Sequence, residues 1–272
     1  MTLDLRSRRG AGALVLVTAL AALAGAFGAW LVVPRHAPLD AVTTHGEWVK
    51  FTNAAGDTIP AYVAWPERKD RAPTILVIHQ IFGLTQWETT VVDKLAANGY
   101  VAIVPDLLAS KYGRSPENPD SARKLFSGLT PERIMGDLDA AAAYVDTLPG
   151  ARRGSMATIG FCWGGQQSFA YAAHNPKLKA VVVCYGPAPD AAAMARIEAP
   201  VLGVYAENDA RVDDPLPRVD STMHALGKSY TYHIYPGTGH GFLTPGRQGN
   251  DTDQPDKAWE RIFAFYHKHL GS

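Results

Sequence analysis

The sequence predicts an α/β fold: a mostly parallel central sheet of about eight strands, flanked by helices on both faces, with an antiparallel hairpin at its N-terminal edge. Three observations carry that expectation. From residue 74 onward, short β-branched runs alternate with segments of helical spacing, the pattern of strand–helix–strand units. Runs such as Thr74-Ile75-Leu76-Val77-Ile78-His79 have no polar break, which suits strands covered on both faces. Setting aside an atypical leader leaves about 235 residues, enough for one large core.

The first 36 residues stand apart. Arg6, Arg8 and Arg9 precede residues 11–33, which carry no charge. Positive residues ahead of an apolar run stay on the cytoplasmic side. Two assignments fit residues 1–36. One is a secretory signal peptide, with Ala24-Gly25-Ala26 as its small-residue cleavage site. The other is an uncleaved anchor, since the run is long enough to span a bilayer. Under either, the remainder of the chain is exported, and a bacterial periplasm is the expected location, soluble after cleavage or tethered to the inner membrane. Residues 37–46 are expected to be a linker and residues 47–272 one domain.

The domain opens with two extended segments, 47–51 and 58–65, around Asn53-Ala54-Ala55-Gly56-Asp57, a hairpin signal. The strand at 74–79 precedes helical spacing over 85–98, stopped by Gly99. Residues 100–104 form the next strand, closed by Pro105-Asp106. Helices are expected over 115–126 and 131–148, the second opening on Thr130-Pro131-Glu132. Next come strand 156–161, helix 163–175, strand 180–185, a short alanine-rich helix and strand 201–205. A helix over 214–226, a strand over 230–235 and a helix over 255–270 complete the series, with no internal repeat.

Composition excludes several functions. Lysine plus arginine number 26 and aspartate plus glutamate 26, so the formal net charge is zero, and no long basic stripe appears. A nucleic-acid partner held by phosphate attraction is therefore not expected. There is no CxxC pair, HExxH helix or P-loop, so neither a structural zinc nor a nucleotide site is expected, and no cofactor. His267 and His269 lie two apart on the last helix. They do not share a face, and no metal is assigned to them. A membrane enters only through the N-terminal segment, if it stays uncleaved.

The chain has two cysteines. Cys184 ends the run Val181-Val182-Val183 and fits a small, buried core residue. Cys162 stands in Gly160-Phe161-Cys162-Trp163-Gly164-Gly165, straight after a strand and straight before a helix. That is the nucleophile-elbow pattern with cysteine in the serine position. Small residues two before and two after let the strained turn close. The helix that begins next favours thiolate over thiol. A disulfide between Cys162 and Cys184 stays open, because an exported protein meets an oxidising compartment and sequence does not supply bridge geometry.

Downstream, Glu207-Asn208-Asp209 lies just past the strand at 201–205, and Pro236-Gly237-Thr238-Gly239-His240-Gly241-Phe242 just past the strand at 230–235. Nucleophile, acid and histidine, each at the end of a strand, is the chain order of an α/β-hydrolase triad. Cys162, Asp209 and His240 are the candidates, with Glu207 and Asp213 as alternative acids. His240 would take or hold the thiol proton and Asp209 would fix its tautomer. The backbone N–H groups of Trp163 and Ile81 are the candidate oxyanion donors.

With these residues in place, the chain resembles the dienelactone hydrolase family over nearly all of residues 47–270. The marks are Ile78-His79-Gln80-Ile81-Phe82-Gly83-Leu84, Gly99-Tyr100-Val101-Ala102 with Pro105-Asp106-Leu107, the Cys162 elbow, and Gly239-His240-Gly241-Phe242. The resemblance implies an α/β-hydrolase fold and hydrolysis of a lactone or small carboxylic ester through an acyl-cysteine, as in a carboxymethylenebutenolidase. It also implies Cys162, Asp209 and His240 as the triad. Two departures bear on substrate. Well-known members carry a glutamate where this chain has Gln80, which cannot accept a proton, so either His240 alone ionises Cys162 or the enzyme handles different substrates. The two arginines that bind the dienelactone carboxylate would fall near Ser110 and Thr244, and neither is arginine here. Lys111 is a nearby substitute without the bidentate fork, and Arg247 is expected to be an ordinary surface charge. Dienelactone is therefore not the expected substrate. Gln80, Phe82, Lys111, Tyr112 and Phe242 are the candidate substrate-binding residues, and Trp163, Phe82, Tyr112 and Phe242 the expected apolar wall for a small cyclic or aromatic ester. His79 is expected to be a satisfied, partly buried histidine. A non-catalytic ligand-binding protein on a hydrolase scaffold, or another acyl-transfer enzyme such as a thioesterase, are the alternatives.

Overall fold

The computed structural model describes residues 43–271. The expected leader at 1–36 and the linker up to residue 42 lie outside the described residues. The last linker residues were expected to be unpaired but are not. Thr44, His45 and Gly46 belong to β1 (Thr44–Thr52) and pair with Pro66, Trp65 and Ala64 of β2 (Thr58–Pro66). The hairpin therefore starts three residues before 47, because β2 runs on far enough to pair them. Asn53 turns the chain between the strands: its Oδ1 accepts from the N–H of Ala55 at 3.0 Å and of Asp57 at 2.9 Å.

Beyond the hairpin lie β3 (Ala72–Ile78), α1 (Gln86–Ala97), β4 (Val101–Pro105), α2 (Ala109–Tyr112), α3 (Pro119–Phe126), α4 (Pro131–Val145), β5 (Ala151–Phe161) and α5 (Trp163–His174). Then come β6 (Ala180–Cys184), α6 (Ala191–Met194), β7 (Val201–Asn208), α7 (Ala210–Asp213), α8 (Leu216–Ala225), β8 (Tyr230–Gly239) and α9 (Gln254–Leu270). The strands form one eight-stranded sheet in the order β1-β2-β4-β3-β5-β6-β7-β8. β1 and β2 pair antiparallel, as do β2 and β4, while every pairing from β4 to β8 is parallel. This is the expected α/β-hydrolase sheet with its antiparallel edge.

All residues of β3, β4 and β6 are buried, and the period of two sends them to both faces. Leu76, Ile78, Val181 and Val183 pack with Leu138 of α4, Phe169 of α5 and Met223 of α8. Ile75, Val77, Val182 and Cys184 pack with Val92 of α1 and Ile262 and Tyr266 of α9. Each such aliphatic side chain contributes about 1.5–3 kcal/mol of burial. The result is a stiff platform whose strand ends hold their loops in fixed positions.

Two helices begin later than expected. The helix expected at 115–126 begins only at Pro119, because proline holds Asn118 in an extended conformation (φ −81°, ψ 119°). Asn118 then caps α3 by accepting from the Ser121 N–H at 3.0 Å. The helix expected at 214–226 begins only at Leu216, straight after Pro215, and the separate short α7 precedes it. No helix among the described residues is long and apolar enough to cross a membrane.

Candidate active site

In a parallel sheet the carboxyl ends of the strands are where loops converge on ligands. Here β3 delivers Gln80 and Ile81, β5 delivers Cys162, β7 delivers Asp209 and β8 delivers His240. The last two are placed by a long strand pairing. β7 and β8 stay paired up to Asn208 opposite Gly239, and Asp209 and His240 are the next residues on each strand.

Cys162 sits at φ 58°, ψ −116°, between β5 and α5. A non-glycine residue held there is strained by about 1–3 kcal/mol. The glycines of the motif make the turn possible. A Cβ at Gly160 would overlap the backbone of Gly164, and one at Gly164 would overlap the carbonyls of Ile78 and His79. The Cys162 N–H is tied to the Cys184 carbonyl at 3.0 Å. Cys162 and Cys184 are both free thiols, so the bridge left open by the sequence is not formed.

His240 Nδ1 is 2.5 Å from Asp209 Oδ2. Asp209 stands at the N-cap of α7 but makes no side-chain cap, so its carboxylate is left for the imidazole. The two alternative acids are placed otherwise. Glu207 accepts from the Gly237 N–H at 2.8 Å. Asp213, one turn on, has both carboxylate oxygens buried without a hydrogen-bond partner among the described residues. Burial, and then the charge of Asp209, push Asp213 up to about 6. The edge of the Tyr185 ring packs on His240, with ring centroids 5.2 Å apart.

Cys162 and His240 line the same cleft, and each shifts the other's proton affinity. Burial pushes the Cys162 thiol up, but the His240 hydrogen bond and charge, the Trp163 N–H and Arg211 outweigh it, and the net shift is downward. Burial depresses His240, but its hydrogen bonds to Cys162 and Asp209 prevail and raise it. Both shifts run in the direction of a thiolate facing an imidazolium. Cys184 moves the other way: full burial pushes its thiol well up, so it stays protonated.

These residues open on a cleft of about 430 Å³, lined by Gln80, Ile81 and Phe82, by Cys162, His240 and Gly241, and by Arg123, Arg211 and Arg247. The Gln80 amide donates to Thr244 Oγ1 at 3.3 Å. His79 is buried and satisfied, with Nδ1 2.8 Å from the Gln80 carbonyl and Nε2 accepting from the Leu107 N–H at 3.2 Å. Three of the expected substrate contacts do not reach the cleft. Lys111 Nζ is drawn off to the Gly128 carbonyl (2.6 Å), and the Tyr112 hydroxyl to the Leu125 carbonyl (3.2 Å). Phe242 is fully buried beneath Tyr185 and Tyr235. Trp163 packs on Phe126 and His79 rather than lining the cleft. Of the apolar wall expected there only Phe82 lines the cleft, joined by Ile81.

The arginines are what sequence reasoning missed. Arg247, expected to be a plain surface charge, lines the cleft, and so do Arg123 and Arg211. Arg123 and Arg247 both lie over the Phe82 ring, at 5.7 and 5.8 Å from its centroid. None of the three has a carboxylate partner among the described residues. Arg211 carried a usable signal, being two residues past Asp209 at the same strand end. Arg123 carried none, because only the fold brings α3 beside the cleft.

The family model for the dienelactone hydrolase family matches residues 59–270. The chain belongs to the dienelactone hydrolase family. It is 33% identical over 217 residues to a protein of Methylorubrum extorquens provisionally named carboxymethylenebutenolidase, covering 75% of each chain. A protein of Salmonella typhi with the same provisional name is 32% identical over 234 residues, covering 79% of this chain and 85% of its own. Among solved structures, a provisionally assigned dienelactone hydrolase from Klebsiella pneumoniae superposes with a TM-score of 0.76 at 27% identity, over 83% of this chain and 99% of that one. This member of the dienelactone hydrolase family is therefore an α/β-hydrolase-fold hydrolase acting on small molecules.

Proposed function

We propose that the protein hydrolyses a small carboxylic ester or lactone bearing an anionic group, through an acyl-cysteine formed on Cys162. The observation that carries the reading is the meeting of Cys162, at its strained elbow, with a His240 already bonded to Asp209. The Cys162 thiolate attacks the carbonyl carbon while His240 holds the proton. The carbonyl electron pair moves onto oxygen, where the N–H groups of Trp163 and Ile81 receive it. Collapse breaks the carbon–oxygen bond, and the leaving alkoxide takes the proton from His240. His240 then removes a proton from water, which attacks the thioester and releases a carboxylic acid and the thiolate. Asp209 keeps the imidazole in the required tautomer throughout. Gln80, bonded to Thr244, takes no proton in this scheme.

The three arginines, which have no carboxylate partner among the described residues, support an anionic substrate. Each charge-assisted hydrogen bond contributes roughly 1.5–3 kcal/mol, so one good contact discriminates about tenfold or more. Export of the chain, by the basic and then uncharged leader at residues 1–33, is part of the same proposal and puts the activity outside the cytoplasm.

Intact-mass analysis after mixing with mono-4-nitrophenyl glutarate tests the chemistry. An acyl adduct on Cys162, absent in Cys162→Ala, is the expected result; turnover persisting in Cys162→Ala contradicts it. Comparison with neutral 4-nitrophenyl butyrate tests the charge preference. The glutarate ester should have the higher kcat/KM, and Arg211→Ala with Arg247→Ala should remove the difference. Equal kcat/KM for the two esters in the wild type would refute an anionic substrate.

A further inference from the structure

Glu88 has no exposed surface, and no cation pairs with it among the described residues. Burying a charge this way is costly unless hydrogen bonds compensate. Its two oxygens find different partners. Oε2 accepts from the Thr85 N–H at 3.0 Å and from the Thr85 hydroxyl, which completes the reciprocal cap of α1. Oε1 accepts from the Gln80 N–H at 3.3 Å. Capping the helix needs the first contact and not the second. The positive end of α1 also favours the charge there.

One carboxylate therefore clasps both ends of the 80–85 loop. That loop carries Ile81, which lines the cleft beside Cys162, and whose N–H has no protein acceptor among the described residues. Two further bonds brace the same segment: Leu84 N–H to Ser115 Oγ at 3.1 Å, and the Gln80 amide to Thr244 at 3.3 Å. We infer that Glu88 is a positioning residue for the oxyanion pocket, fixing the backbone on both sides of Ile81 so that its N–H meets the charge of the tetrahedral intermediate. The inference rests on the acyl-cysteine reading above. It assigns Glu88 no contact with substrate and no proton transfer.

An oxyanion donor acts only in the transition state, so misplacing it lowers kcat and kcat/KM together and leaves KM alone. Alkylation of Cys162 by iodoacetamide makes no oxyanion and does not need the donor. The full-length chain carrying Glu88→Gln presents an amide NH2 to backbone N–H groups and loses the clasp. Its kcat on mono-4-nitrophenyl glutarate should fall about 10²-fold, the scale of a small misplacement of a catalytic group, with KM and the Cys162 alkylation rate both within about twofold of wild type. Glu88→Asp keeps the charge but withdraws it from the loop. It should show an intermediate kcat, and it carries the test if the glutamine variant is insoluble. An unchanged kcat in a folded variant overturns the proposal. So does a kcat that falls by the same factor as the alkylation rate, which is the mark of a structural role alone. Slow labelling of the wild type, indifferent to His240→Ala, would instead remove the acyl-cysteine reading and this proposal with it.

Discussion

At the scale of single residues, two carboxylates a single helical turn apart have opposite situations. Asp209 is bonded to His240 at 2.5 Å, whereas Asp213 has no partner among the described residues for either oxygen. Replacing Asp209 by asparagine should lower kcat on the order of 10⁴-fold by removing the tautomer constraint, while Glu207→Gln should leave it nearly unchanged. Steady-state kinetics on one ester separates them. Asp213 has its folded-state pKa raised from 3.8 to about 6. The folded state therefore holds its proton more tightly than the unfolded state, and ionisation opposes folding as the pH rises through that window. Below about 3.8 the group costs nothing, and above about 6 its full cost is present. Asp213→Asn should raise stability at pH 8 by about 1 kcal/mol, a figure already discounted for partial exposure, and change little at pH 4. Denaturant melts at the two pH values measure both effects.

At the scale of elements, the elbow shows what the chain states openly. The order of strand, glycine, cysteine and helix is local, and the steric reason for Gly160 and Gly164 is backbone against backbone. Gly160→Ala should cost more than about 4 kcal/mol, the range reserved for special backbone sites, and a melt of the soluble variant or its failure to express checks it. The strand platform was also legible, because β3 and β6 are unbroken apolar runs. Helix starts were harder. Pro119 moved the onset of α3, since proline restricts the residue before it, and α8 begins straight after Pro215, which has no N–H to give to a preceding turn. The direction of a surface side chain was least legible. Lys111 and Tyr112 stand near the cleft in sequence, yet the carbonyls of Gly128 and Leu125 draw them away. Thr85 and Glu88 have capping-box spacing, and that signal was present in the chain, but nothing in it announces the second bond to Gln80.

At the scale of the whole molecule, charge is unevenly spread despite a net charge of zero. Arg123, Arg211 and Arg247 gather at one cleft from α3, from α7 just past β7 and from the segment before α9. A cationic mouth attracts anions through a field that salt screens over about 10 Å at 0.1 M. Hydrolysis of mono-4-nitrophenyl glutarate should therefore slow as ionic strength rises, by a fall in kcat/KM, while 4-nitrophenyl butyrate should respond little. Equal salt dependence for the two esters would remove the steering argument. The sheet itself has one task in this account, which is to bring four strand ends together so that the sulfur and the imidazole meet. The most direct measurement of that claim is the pH dependence of iodoacetamide labelling at Cys162 in the full-length chain. Labelling of the wild type should be fast and persist below the ordinary thiol range, and that of His240→Ala should be slow and rise only at alkaline pH. Matching profiles for wild type and His240→Ala would contradict it.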